Sequence, residues 1–249
     1  MKKIVAIGGG EIGSPGCLIE TTKIDKEIIR LSGKKRPRVL FIPTASSDSD
    51  GYFETVKKHF GKRLGCEVDV LRVIKEKLSR AEIERKVLSS DIVYVGGGNT
   101  LKMIRIWKSC RLDIILQKAW DKGIVLSGLS AGSICWFRNG TSDSRRFKNP
   151  DADLIKVSGL GFIPATHSPH YDVEKDRRPG LKKIMQKTSG IAIAIDNCCA
   201  VEFIDNTYRV IASKPAAKAY KVYWKAGKHY EIEILKQKKF LPLFDLLTK

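Results

Sequence analysis

Three short apolar runs in this chain end in glycine: "KIVAIGGG" (Lys3–Gly10), "DIVYVGGGNT" (Asp91–Thr100) and "GIVLSGLSAG" (Gly123–Gly132). Runs of this length, rich in Ile and Val and stopped by glycine, read as buried strands. Amphipathic stretches separate them. Thr22–Leu31 carries Ile24, Ile28 and Leu31 at helical spacing and stops at Gly33. Tyr52–Leu64 follows, then a helix opened by the capping box Ser79-Arg80-Ala81-Glu82 and running to Leu88, then Leu101–Lys122 with a break near Cys110. "RVLFIP" (Arg38–Pro43) and "EVDVLRV" (Glu67–Val73) supply two more strands. Strands separated by helices imply an α/β fold, a mainly parallel sheet with helices on both faces. Such sheets take ligands at the carboxyl ends of their strands, where all three glycine segments fall.

After Gly140 the pattern changes. "GIAIAIDNCCAVEFIDNTYRVIAS" reads as consecutive strands turning at Asp205-Asn206, and "AYKVYWKAGKHYEIEIL" as a hairpin around Ala226-Gly227. These predict antiparallel strands added at one edge of the sheet. No Pro-, Gly- or Ser-rich linker and no repeat divides the chain, so residues 1–249 are expected to form one domain. No apolar run approaches the ~20 residues needed to span a bilayer. Met1–Ile7 turns to glycine too soon for a signal-peptide core. A cytoplasmic protein with no membrane partner is expected. Six cysteines without C-x-x-C spacing predict free thiols and no metal site. The net charge of +19 comes from 46 Lys and Arg spread along the whole chain, without interleaved aromatics. Nucleic acid is therefore not the expected partner.

Gly128-Leu129-Ser130-Ala131-Gly132 is a G-x-S-x-G pentapeptide between a strand and a helix start. Such an elbow exposes its serine at a helix N-terminus, where free N–H groups favour developing negative charge. A general base must come from four histidines. His59 in "VKKHFGKR" and His229 beside a hairpin turn read as surface residues, which leaves His167 or His170 in "ATHSPHYD". The Gly98 N–H, with no Cβ in the way, would pair with the Ala131 N–H as an oxyanion hole. Gly8–Gly13 matches G-x-G-x-x-G, but Ser14-Pro15-Gly16 interrupts the helix start such a site needs. The second strand also ends in Ile42-Pro43-Thr44, with no carboxylate. A tight loop is the preferred reading of that match, and no cofactor is expected.

"YVGGGNT", "GLSAGS" and "SPHYD", in this order and spacing, resemble peptidase E, the aspartyl dipeptidase group of serine peptidases related to the cyanophycinases. The resemblance runs over nearly the whole chain, from "IGGG" to "AIDN". It implies a flavodoxin-like sheet related to class I glutamine amidotransferases. It also implies Ser130 as nucleophile, His170 as base, and Gly98 and Ala131 as oxyanion donors. By the place of the acid in peptidase E, Asp143 in "NGTSDSRR" would orient the histidine. By its place in cyanophycinases the chain offers Asn197, with Asp196 and Glu202 as nearby substitutes. Specificity for an N-terminal aspartate would call on Arg145, Arg146 and Lys148, or on Arg177 and Arg178. The expectation is a serine-type peptidase acting on small peptides through an acyl-enzyme, with a homodimer as the assembly to test. Two rivals stand beside it: a catalytically silent binding protein on the same fold, and a nucleotide-binding protein using Gly8–Gly13.

Overall fold

In the computed structural model, which describes residues 1–249, the first half of the chain builds a parallel sheet. It comprises β1 (Lys3–Ile7), β2 (Arg38–Ile42), β3 (Glu67–Val70), β4 (Ile92–Val95) and β5 (Val125–Leu129). Strand alternation sends side chains to two layers. Ile4, Ala6, Leu40, Ile42, Val93 and Val95 pack on one side, and Val5, Ile7, Val39, Phe41, Ile92 and Tyr94 on the other. The second layer is closed by α1 (Thr22–Leu31) and α2 (Asp50–Val56), whose chain continues as a π-helical segment over Lys57–Arg63. The first is closed by α3 (Arg80–Leu88), α4 (Thr100–Ser109) and α5 (Leu112–Asp121). Helices thus cover both faces, as expected. The Ser79–Glu82 capping box is formed in both directions. The helical stretch after β4 breaks at Cys110 and Arg111, the latter at φ 60°.

From the edge inward the parallel strands run β3-β2-β4-β5-β1, so the chain reverses direction across the sheet between β2 and β4. This becomes the flavodoxin order when β1 takes the place of a fifth strand. The crevice at such a reversal is where open α/β sheets hold ligands.

The second half departs from the sequence expectation. After α6 (Ala131–Ile134), the chain lays down β6 (Phe137–Ser142), β7 (Ile155–Ser158), β8 (Ile163–Ser168), α7 (Arg177–Gln186) and β9 (Ala192–Ile195). Then come β10 (Cys199–Ile204), β11 (Thr207–Ala212), β12 (Ala219–Lys225), β13 (Lys228–Ile234), β14 (Leu241–Pro242) and α8 (Leu243–Leu247). β10 and β11 extend the first sheet antiparallel from β1, as predicted, and β14 adds a short further strand. The hairpin β12–β13 does not join them. It pairs with β9 in a second, mixed sheet of order β13-β12-β9-β8-β6-β7. β6 and β7 carry too many polar residues to show an alternating signal, so nothing in the sequence announced this sheet. One cluster of 39 buried residues runs through both sheets, joining Ile4 and Val95 to Phe137, Ile163 and Ile193. Leu181 and Met185 of α7 cover the far face of the second sheet against Ala192, Ala194 and Val222. The hairpin turn at Ala226 (φ 48°) and Gly227 (φ 74°) has the two positive φ angles of a two-residue type I′ loop. No helix is long and apolar enough to cross a membrane.

Candidate active site

Ser130 follows β5 directly and opens α6, with φ 55° and ψ −118°. A non-glycine residue in this region stores on the order of 1–3 kcal/mol of strain and needs its surroundings to hold it there. Gly128 and Gly132 provide the room. A Cβ on Gly128 would lie 2.6 Å from the Gly132 and Val95 carbonyl oxygens, and one on Gly132 would lie 2.1 Å from the Val95 oxygen. The elbow helix therefore sits on the backbone of β4, which only glycine at both framing positions permits.

The end of β1 fixes both the serine and the histidine. The Ser130 N–H donates to the Ile7 carbonyl at 3.3 Å, and the His170 N–H to the Gly8 carbonyl at 3.0 Å. His170, just after β8, is itself held at φ 53°. Its Nδ1 lies 2.7 Å from Asn197 Oδ1. An amide oxygen only accepts, so in the neutral ring this contact selects the tautomer with the proton on Nδ1 and the lone pair on Nε2. Asn197 sits in the turn between β9 and β10, where its N–H donates to Asp172 Oδ1 at 2.8 Å. No side-chain bond joins Ser130 Oγ to His170 in the resting structure, as is common before substrate binds.

The three candidate acids lie elsewhere. The Asp143 side chain is not hydrogen-bonded to His170, whose Nδ1 faces Asn197 instead; its main-chain carbonyl accepts the Arg146 N–H at 2.7 Å. Its neighbour Ser144 is pinned to the start of α4, accepting from Leu101 N–H at 3.0 Å and from Asn99 Nδ2 at 3.1 Å. Asp196 accepts the Lys218 N–H through Oδ2 at 2.9 Å, and burial, with Asp172 nearby, raises its pKa to about 6. Glu202 is fully buried against Arg209, 2.7 Å away. The group nearest the imidazole is instead Asn197, the position to which the resemblance to cyanophycinases pointed, where this chain carries a carboxamide in place of the carboxylate.

The other histidines divide differently from expectation. His167 is buried, and its Nδ1–H donates to the Ile193 carbonyl at 2.9 Å. That leaves Nε2 as an acceptor 2.9 Å from Ser133 Oγ, whose one proton is shared with the Ser130 carbonyl at 2.8 Å, and burial lowers the His167 pKa to about 3. His59, read as a surface residue, is 1% exposed. Its Nε2 lies 2.8 Å from Asp25 Oδ2, which Thr21 Oγ1 also reaches at 2.7 Å. The partner on α1 that lets a polar ring be buried is invisible in the local sequence of His59. His229 is half-buried and packs edge-on against Trp224.

Gly98, at φ 132°, follows β4, and a Cβ there would meet the Ala45 carbonyl oxygen at 2.4 Å. Asn99 N–H donates to that oxygen at 2.9 Å, and Gly97 N–H to Tyr52 Oη at 3.3 Å. Burial raises the Tyr52 pKa to about 12, so the phenol stays protonated. The N–H groups of Gly98 and Ala131 have no acceptor within the protein. A Cβ on Gly97 would be 3.4 Å from Ser130 Cβ, so this loop packs against the serine. Asn99 caps α4, accepting from Lys102 N–H at 2.9 Å.

A cavity of about 1460 Å³ opens from Gly98 at the reversal between β2 and β4, lined in part by Ser46, Lys102, Arg105, Arg145 and Lys148. Of the five cations singled out in the sequence, Arg145 and Lys148 line it. Arg146 pairs with Asp176, buried Arg177 bonds Glu174 and the Thr141 carbonyl, and Arg178 stacks on Tyr171 and Tyr220 beside Glu231. At the Gly8–Gly13 loop, Glu11 Oε1 takes the N–H groups of Ile12, Gly13 and Ser14 at 2.7–2.8 Å. The chain's own carboxylate thus occupies the donors a phosphate would need. No three of the His, Cys, Asp and Glu side chains gather into a metal-holding group.

An α/β protein with a strained serine at the carboxyl edge of its sheet and a histidine tied to the same strand end has the strand–turn–helix geometry in which elbows occur. Comparison with known proteins narrows the class. The profile of Peptidase family S51 matches residues 4–211, and the chain belongs to that family. It is 37% identical over 224 residues to the uncharacterized peptidase YgaJ of Bacillus subtilis strain 168, covering 89% of this chain and 92% of the relative. A probable alpha-aspartyl dipeptidase of Drosophila melanogaster is 29% identical over 136 residues, 53% of this chain and 52% of its own. The crystal structure of a peptidase from an acI-B1 Actinobacterium superposes with a TM-score of 0.72 at 20% identity, over 97% of both chains, and shows the same fold.

Proposed function

We propose that this peptidase is of the serine type and hydrolyses small peptides through an acyl-enzyme. The observation that carries the reading is Ser130 itself, strained at the end of β5 and followed by the unengaged N–H of Ala131, with the loop of Gly97 and Gly98 packed against it through Gly97. In this mechanism Ser130 Oγ attacks the peptide carbonyl and gives its proton to His170 Nε2. The Gly98 and Ala131 N–H groups hold the oxyanion, and His170 returns the proton to the leaving amine. Water then repeats the sequence on the ester. The cationic lining of the cavity and the name of the Drosophila relative favour substrates with an acidic residue, N-terminal aspartyl peptides first among them.

A fluorophosphonate probe followed by peptide mapping tests the nucleophile. Labelling at Ser130, and loss of turnover on the order of 10⁶-fold in a folded Ser130→Ala protein, is the expected result. His170→Ala should be nearly as inactive, whereas His167→Ala should keep substantial turnover. Full activity in Ser130→Ala removes the mechanism, and the reverse ranking of the histidines moves the base to His167.

A further inference from the structure

We propose that Asn197 is the positioning residue for His170, so that this site works with a neutral carboxamide where a carboxylate was expected. The proposal rests on the reading of Ser130 and His170 as nucleophile and base. Asn197 Oδ1 is 2.7 Å from Nδ1, and no carboxylate oxygen lies within 4 Å of either ring nitrogen of His170. The one histidine–carboxylate pair at that range in the fold is His59 with Asp25.

The surrounding loops are built to hold this contact. The Asn197 N–H is tied to Asp172 Oδ1 at 2.8 Å, and the next residue, Cys198, turns the chain at φ 62° and donates its N–H to the Gly9 carbonyl at 2.8 Å. On the other side, His170 is fixed by its own N–H to the Gly8 carbonyl. A Cβ on Gly9 would lie 2.1 Å from Asn197 Oδ1 and 2.4 Å from His170 Nδ1, so the glycine run leaves its space to these two side chains. The G-x-G-x-x-G match, idle as a nucleotide motif, thereby gains a purpose.

A carboxamide oxygen selects the Nδ1–H tautomer as a carboxylate does, but it brings no net charge to the imidazolium formed when His170 takes the serine proton. Two variants separate orientation from charge. Asn197→Leu removes the acceptor at similar volume: kcat should fall on the order of 10²-fold or more with KM little changed. Asn197→Asp restores an acceptor and adds charge: activity should persist at its plateau, with the acid limb of the kcat/KM profile moved up by about one pH unit or more. Asp143→Asn should stay within about threefold of the parent, well inside a single general-base contribution. The nitrogen-15 NMR signals of the His170 ring give a readout independent of turnover. The Nδ1–H tautomer should be present in the parent and lost in Asn197→Leu. An unchanged tautomer in Asn197→Leu, an unmoved profile in Asn197→Asp, or loss of kcat in Asp143→Asn overturns the proposal. If the parent shows the tautomer but neither turnover nor probe labelling at Ser130, the serine mechanism has failed and the orientation of His170 stands.

Discussion

Gly9 carries no side chain, and that absence sets the spacing of Asn197 and His170. A methyl group there would lie far inside contact distance of both Asn197 Oδ1 and His170 Nδ1, neither of which is the free end of a long side chain. Gly9→Ala is therefore expected to lower kcat by on the order of 10²-fold, the scale of losing a well-placed general base, while folded protein is still recovered. Steady-state kinetics with a thermal melt would check it, and wild-type kcat in Gly9→Ala would show that the cradle is looser than the contacts require. Glycines at 128 and 132 act in the same way on the other side of the site, by letting α6 rest on β4. The motif letters G-x-S-x-G and G-x-G thus mark clearances: backbone or a side chain of a neighbouring element lies close to where each absent Cβ would be.

At the scale of elements, the contact between α6 and β8 runs through Ser133 and His167, which hold the elbow helix to the second sheet. Burial lowers the His167 pKa to about 3, against about 6.5 in an unfolded chain. The folded state therefore binds fewer protons than the unfolded one between these values. This contribution to stability is full above pH 6.5 and is lost as pH falls toward 3, at about 1.4 kcal/mol per pH unit. Asp196, raised to about 6, acts in the opposite sense over its upper range, since its folded form takes up a proton first. His167→Gln should flatten the acid limb of unfolding free energy by about that 1.4 kcal/mol per pH unit, as followed by urea titration at pH 4–6. An unchanged slope would mean that His167 is not held neutral. The elements that meet here differ in how far the sequence disclosed them. β1, β4 and β5 were legible because a strand buried on both faces is a continuous apolar run, and α1 because its buried stripe repeats at helical spacing. β6 and β7 were not, because strands such as "FRNGTS" and "IKVS" take their pairing from partners distant in the chain. The serine and the glycine loop were legible because each closes a legible strand, and the histidine because the chain has only four. The partner of His170 was legible only through the resemblance to cyanophycinases, which pointed to Asn197 as an alternative to Asp143. Local sequence could not choose, because the contact is fixed by the turn between β9 and β10.

The whole molecule carries a charge of +19, and its cavity beside Gly98 repeats that sign locally, with Lys102, Arg105, Arg145 and Lys148 facing Asp151 and Asp153. A field of this sign concentrates anionic substrates at the mouth of the cleft, and salt weakens it as the Debye length falls from about 30 Å at 0.01 M to about 10 Å at 0.1 M. Two contributions can be told apart. The long-range one depends on net charge and acts on association. The short-range one depends on a guanidinium bonding a substrate carboxylate and survives salt far better. For an aspartyl peptide, kcat/KM should fall several-fold between low and high salt, and a neutral peptide of the same length should change little. Arg145→Ala or Arg105→Ala should then cost the aspartyl peptide about tenfold, equivalent to ~1.4 kcal/mol, at both salt concentrations, while the neutral peptide stays within about twofold. An equal loss for both peptides would mean that these arginines shape the cleft without reading its ligand. A salt effect without any arginine effect would leave attraction to the molecule as a whole, and the preference for acidic peptides would then belong to the rate of encounter, not to the pocket.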